Sequence, residues 1–359
     1  MRAALTKDNT LVVTEVPDPV PQEGQLLVRT LACGICGSDL HALRHPDAFM
    51  DTTRRSGGTP YDPRDGLVFG HEFAGEIVGH GPGTERTLPV GTAVCGPPIG
   101  LGPQGAGIIG YAPMYPGGYG EYMILNEGLA FAVPDGLAPE VAALTEPFSV
   151  AARAVGRSGI GAGDVSVVLG LGPIGLGVVA TLKARGHGPV LAVDFSPRRR
   201  ALAERLGADE LIDPAVSSPY DRWSDLGVPT GTTDRMAAEM LGTPVRAAVV
   251  FECVGVPGVL GQVIEGAPAG STIMLVGVCM QSDRVEPGIA VSKELTVRGS
   301  FGAVPAEYRA TLDDIAAGRI DAGAIITGTV GLDGVAGAFE ELAAPERHAK
   351  IVVVPQGVS

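Results

Sequence analysis

Between Leu11 and about Val133 the apolar residues come in short alternating runs, LVVTEV, QLLVRTL, FAGEIVG and EYMILN, divided by clusters of Gly and Pro. A period of two sets one face of a strand against a core and the other toward water, so this spacing predicts a mostly β region. After Glu146 the rhythm changes. DVSVVLG reads as a buried strand, PIGLGVVATLKARG as a helix, PVLAVDF as a strand and PRRRALAERLGA as a helix. RAAVVFECVG, PGVLGQVIEGA and STIMLVGV continue the alternation. Strands alternating with helices predict a parallel sheet with crossovers. From about Phe301 the chain returns to mixed helix and strand, ending in AKIVVVP. No repeat of about 20 to 50 residues is visible, which excludes solenoids and propellers.

At 359 residues the chain exceeds what one ordinary hydrophobic core supports. The expected division is a β-rich domain over 1–147, an α/β domain over 148–300, and a return to the first over 301–359. Val165 to Leu182 carries no charge over about the length of a membrane span. Pro173 and four glycines inside it predict a strand, a turn and a helix instead. The start, MRAALTKDNTLVV, has no long apolar stretch before a small-residue cleavage site, which predicts a cytoplasmic protein.

Charge narrows the partners. A net charge of −14 leaves no surplus of Lys and Arg for a nucleic-acid groove or an anionic membrane surface, so no nucleic-acid or membrane partner is expected. The five cysteines, Cys33, Cys36, Cys95, Cys253 and Cys279, are an odd number in a long chain without an export signal. They are expected to be ligands or small apolar fillers rather than a disulfide framework.

VVLGLGPIGLG holds G-x-G-x-x-G as Gly170, Gly172 and Gly175, between a predicted strand and a predicted helix that opens with Pro173 and Ile174. Gly170 permits the tight turn, Gly172 lets a pyrophosphate approach the backbone, and Gly175 lets the helix pack closely on the strand. Asp194 in LAVDFS falls about 20 residues on, where a carboxylate meets the adenosine ribose hydroxyls. Together they predict a bound dinucleotide. Asp194 repels a 2′-phosphate and favours NAD(H) over NADP(H). Arg198, Arg199 and Arg200 follow; an Arg clamp on a 2′-phosphate is the alternative role, and a solvated first helical turn is the expected one.

Zinc takes Cys, His and carboxylate ligands, and a catalytic zinc keeps one position open. The candidates are Cys36 in GICGSDLH, His71 and Glu72 in FGHEFAG, and Glu146 in LTEPFSV, three segments that only a fold brings together.

GICGSDLH, GHEFAGEIVGHG, GGYGEYMI, TEPFSVA and GLGPIG, in this order, resemble the zinc-dependent medium-chain dehydrogenases, especially their polyol, butanediol and threonine dehydrogenase branch. The resemblance covers essentially the whole chain. It implies an α/β fold, a Rossmann doubly wound parallel sheet domain plus a β-rich GroES-like catalytic domain, with the cleft between them. Carried over by position, it makes Cys36 and His71 zinc ligands and Glu146 the third, while Glu72 either ligates or stands behind the metal. Ser38 and His41 match a proton relay and Asp39 the acid that orients the zinc-bound histidine. Val276, Gly277 and Val278 in MLVGV, with Phe301, match the backbone around the nicotinamide carboxamide, and Lys350 a basic residue on the pyrophosphate. The implied activity is oxidation of a secondary alcohol, diol or polyol by hydride transfer to NAD, or the reverse, in a homodimer or homotetramer. The strand STIMLVGV is expected to end a sheet that pairs across a two-fold axis.

Three features depart from the resemblance or remain outside it. Pro97 to Gly118 has none of the cysteines that a structural zinc lobe needs, so one zinc per chain is expected. Leu40 to Gly70 is long and charged, and is expected to be a surface insertion that leans toward polar substrates. Cys33 has no ligand counterpart. A redox Cys-x-x-Cys needs a helix start after a strand, whereas Gly34, Gly37 and Ser38 predict a loop. Two rivals stand beside the main reading: the zinc-free quinone reductase branch, and a non-catalytic nucleotide-binding scaffold.

Overall fold

In QLLVRTLACG every second residue from Leu26 to Ala32 is fully buried, as the alternation requires, and the strand runs Gln25–Gly34. It is the centre of a seven-stranded sheet. Across the sheet the order is Ile326–Val330, Lys350–Val353, Gln25–Gly34, Glu72–His80, Ala93–Cys95 and Phe131–Ala132, and Tyr122–Asn126 also pairs with Gln25–Gly34. The runs FAGEIVG and EYMILN lie on two of these strands, whereas LVVTEV forms a separate hairpin with Arg2–Lys7. The computed structural model describes residues 1–344 and 346–357. They form two units, one of Met1–Glu146, Ala303–Gly318 and the stretch from Ile325 onward, the other of Pro147–Gly302 and Arg319–Ala324.

The second unit is a six-stranded, all-parallel sheet, ordered Glu210–Ile212, Val190–Val193, Val165–Leu169, Ala248–Glu252, Thr272–Leu275 and Thr296–Gly299. Val165–Leu169 and Ala248–Glu252 are buried along their whole length. Only continuous apolar runs with helices on both faces do this, so these strands do not alternate in sequence. The order reverses between Val165–Leu169 and Ala248–Glu252, the switch point at which a doubly wound sheet opens its crevice. The glycine turn follows the first of these strands.

Two expectations change, one about a sheet edge and one about a loop. STIMLVGV does not end its sheet: Thr272–Leu275 has a neighbour on each side, and the outermost strand is Thr296–Gly299, exposed along its length. TVRG is too short and too polar to announce a strand. The segment after Cys36 is not a loop either, because helix Gly37–Arg44 begins there with Cys36 as its extended N-cap residue. Asp39 at the third helical position accepts the Cys36 N–H at 3.3 Å, which secures the helix start. A second helix, Pro46–Arg55, follows. Charges of this insertion pair among themselves, Arg64 with Asp62 and Asp47 and Arg55 with Asp51. Among the described residues no helix is long and apolar enough to cross a membrane.

Candidate active site

Three strand ends assemble the metal candidates. The antiparallel register sets Gly34 opposite Glu72 and Cys33 opposite Phe73. Cys36, just past the end of one strand, therefore meets His71, just before the start of the other. On the opposite flank Val352 pairs with Gly34, and Ile35 donates its N–H to Ile351, which brings Lys350 to the same place. The room is tight enough that a Cβ on Gly34 would run into the Glu72 carboxylate.

The ligand atoms of Cys36, His71 and Glu72 all lie within 4.8 Å of one another. A thiol, an imidazole and a carboxylate are the donor set of a zinc site with three protein ligands and one open position. The surroundings of His71 favour positive charge: burial works against it, but Asp39 and Cys36 outweigh burial and push the imidazole well up. The residues present thus fit a divalent cation. Glu146, in the first turn of helix Thr145–Ser158, lies outside that trio. Burial pushes its carboxyl up to about 7, against the pull of His71.

Asp39 is fully buried and heavily held. Its carboxylate accepts the hydroxyls of Tyr119 and Tyr111, both at 2.7 Å, and stands 3.3 Å from His71 Nδ1. Burial pushes the Asp39 carboxyl up, but His71 and the hydrogen bonds reverse this and hold it below its ordinary range. Ser38 Oγ lies 3.1 Å from Cys36 Sγ and 2.8 Å from the Tyr111 hydroxyl. His41 is one helical turn beyond Ser38, exposed at the surface. Desolvation first, then His45 and Arg44, lower its pKa.

Lys350 is a correction. Expected on a pyrophosphate, it is only 1% exposed, and its ammonium donates to both Glu72 oxygens, at 2.7 and 2.8 Å, and to the Ile35 carbonyl at 2.9 Å. All three donors are used inside the first unit. The strand register buries the stem of the lysine, and the Glu72 carboxylate supplies the counter-charge that a buried ammonium requires. Cys33 is also buried, with its thiol pushed well up by burial. Its sulfur fills the space left by Gly118 and Gly70.

The glycine turn carries its reasons in its geometry. Gly170 has φ +83°, open to glycine at little cost, and a Cβ on Gly175 would strike the Gly170 carbonyl. Among the described residues nothing stands within 4 Å of where a Cβ on Gly172 would be. Helix Pro173–Ala184 starts here, with Gly172 as its N-cap and Pro173 and Ile174 in its first turn, so free N–H groups face this open side. The Asp194 carboxylate accepts Leu171 N–H at 2.7 Å and Ser196 N–H at 2.8 Å, which ties it to the turn. The arginines are not simply solvated. Arg199 lies 3.7 Å from Asp194, and Arg200 donates to the Asp194 carbonyl at 2.6 Å and pairs with Asp213.

Val276, Gly277, Val278 and Phe301 line one cavity of about 380 Å³ in the second unit, together with Arg153, Arg157 and Ser300. Among the described residues Ser300 Oγ, buried there, has no hydrogen-bond partner. The arginines and this serine were not legible as site residues. Nor were Tyr111 and Tyr119, whose only signal was their place in GYAPMYPGGYGEY, where a buried Asp39 finds its donors.

A β-rich unit with a Cys-His-Glu cluster and a doubly wound unit with a dinucleotide turn define a metal-dependent dehydrogenase. The family description "Alcohol dehydrogenase GroES-like domain" matches residues 22–135, and "Zinc-binding dehydrogenase" matches residues 173–317. The chain is 34% identical to (R,R)-butanediol dehydrogenase of Bacillus subtilis strain 168 over 358 residues, 96% of each chain. Its fold is similar to the crystal structure of 2R,3R-butanediol dehydrogenase from Bacillus subtilis, with a TM-score of 0.78 and 31% identity over 99% of each chain. A zinc-binding dehydrogenase structure from Sinorhizobium meliloti 1021, bound to NADP, gives a TM-score of 0.80 and 29% identity over 99% of each chain. The chain belongs to the zinc-containing medium-chain alcohol dehydrogenase superfamily and is a zinc-dependent dehydrogenase of that class.

Proposed function

We propose that this enzyme oxidises a secondary alcohol, diol or polyol to a ketone, or runs the reverse reaction, with NAD(H) and one zinc per chain. The observation that carries the reading is the approach of Cys36, His71 and Glu72 to within 4.8 Å of one another. A bound zinc would supply polarisation of the substrate oxygen, and a bound nicotinamide would supply the hydride acceptor. Cys36 and His71 would hold the cation, with Glu72 or Glu146 as the third ligand. Asp39 fixes the ring of His71. Ser38 accepts the alcohol proton, and His41, a turn away at the surface, passes it to water.

On the cofactor side the turn at Gly170, Gly172 and Gly175 receives the pyrophosphate, and Asp194 binds the ribose hydroxyls. Val276, Gly277, Val278 and Phe301 border the nicotinamide carboxamide, with Ser300 Oγ as an unclaimed polar partner. NAD is the proposed cofactor because the Asp194 carboxylate faces the same turn. A homodimer or homotetramer forms through the exposed edge Thr296–Gly299. Diols and polyols head the substrate list because the curated relative with 34% identity is a butanediol dehydrogenase.

Metal analysis of the purified enzyme, with absorbance at the reduced-nicotinamide band against a panel of secondary alcohols, diols and polyols, tests the reading. The expected result is about one zinc per chain and zinc-dependent turnover with NAD above NADP. Tight NAD binding without zinc or turnover overturns it.

A further inference from the structure

Tyr111 is tied to two residues of the relay at once. Its hydroxyl lies 2.8 Å from Ser38 Oγ and 2.7 Å from Asp39 Oδ1. An ionised carboxylate only accepts, so the single phenolic hydrogen points to Asp39. The phenol oxygen then has lone pairs left for Ser38, whose hydroxyl donates to it. The other acceptor within reach of Ser38 is Cys36 Sγ at 3.1 Å. The Tyr111 oxygen is the nearer of the two, at 2.8 Å, and the geometry assigns the serine hydrogen to it. With its hydrogen pointed at Tyr111, the Ser38 oxygen presents a lone pair to an incoming alcohol.

The ring that carries this hydroxyl is itself clamped. Its centroid lies 5.1 Å from that of Phe49, 5.4 Å from Phe69 and 5.2 Å from His71. Phe49 belongs to helix Pro46–Arg55, in the insertion that sequence reading placed at the surface. One face of that helix thus serves the site by holding Tyr111. Tyr119 grips the other Asp39 oxygen, so the carboxylate stays in place for Tyr111.

We propose that Tyr111 is a positioning residue: its phenol bridges Ser38 and Asp39 and fixes the Ser38 oxygen as the acceptor of the hydrogen bond from the substrate hydroxyl. The inference rests on the reading of Ser38 given above. The test uses the zinc-loaded full chain with NAD and the panel alcohol that the wild type oxidises fastest. Single-turnover formation of reduced nicotinamide is followed, so that product release does not mask the chemical step. Tyr111→Phe keeps the ring packing and removes only the hydroxyl.

Loss of one hydrogen bond of this kind is expected to lower the single-turnover rate about tenfold. The half-saturating alcohol concentration should stay within about twofold, and the zinc content should be unchanged. Ser38→Ala should lower the rate further, and adding Tyr111→Phe to Ser38→Ala should then change it less than about twofold, since the two act as one unit. An equal effect of Tyr111→Phe with and without Ser38 overturns the proposal, as does an unchanged single-turnover rate. Failure of the underlying reading looks different: Ser38→Ala at the wild-type rate removes Ser38 from the relay, and the role of Tyr111 falls with it.

Discussion

The cofactor turn and the metal centre are built in opposite ways. Gly170, Gly172, Gly175 and Asp194 lie within one strand-turn-helix-strand unit, and each is explained by its immediate surroundings, which for Gly172 are open space among the described residues. Cys36, His71 and Lys350 are far apart in the chain and meet only because strand register aligns three strand ends. A local motif fails when its own backbone is disturbed. A convergent site fails when any one of its strands does, or when a buried charge loses its partner.

His71→Ala or Cys36→Ala gives the largest expected effect, about a thousandfold or greater loss of turnover together with the zinc, because a catalytic site of this kind has no ligand to spare. Dinucleotide affinity in the same variants should be unchanged, as measured by fluorescence titration of the reduced cofactor. Loss of cofactor binding there would break the separation of the two regions.

Lys350→Met comes next. It leaves the Glu72 carboxylate buried without its ammonium, and unfolding should be easier by ~3–5 kcal/mol. Adding Glu72→Gln should restore part of this in chemical denaturation. A Lys350→Met variant that is fully stable but binds NAD weakly would return the lysine to the pyrophosphate.

Gly175→Ala probes the local motif. Its new Cβ meets the Gly170 carbonyl, backbone that cannot swing away, and overpacking of this kind costs about 1–3 kcal/mol. The dinucleotide dissociation constant should rise about tenfold or more as the turn shifts, while zinc content stays at the wild-type level.

Cys33→Ala should be the mildest change. It removes one buried sulfur and costs about 1 kcal/mol of stability, with metal content and turnover unaltered. Loss of zinc in this variant would make the Cys-x-x-Cys pair a unit after all.

Much of this was legible beforehand for physical reasons. The alternation in QLLVRTL and FAGEIVG betrays strands with one buried face, and the uncharged run after Val165 betrays a strand buried on both. TVRG stayed hidden because an exposed edge strand needs no apolar residue. Helix Gly37–Arg44 stayed hidden because its cap is Cys36, held by Asp39, rather than a residue with strong N-cap preference. Lys350 was misread because a basic residue near a strand start looks solvated until its counter-charge is known. Tyr111 carried no signal, since its meaning lies in the hydroxyl's distance to two side chains more than seventy positions earlier.

By itself the sequence determined the two kinds of sheet, the glycine turn with its acid, and the residue types able to hold a metal. Periodicity and local spacing are properties of neighbouring residues, and they survive without a fold. Tertiary structure alone decided that Lys350 pairs with Glu72, that Cys33 fills space while Cys36 meets His71, and that Tyr111 joins Ser38 to Asp39. Those outcomes depend on strand register and burial, which set which charges lose water and therefore which partners they must find.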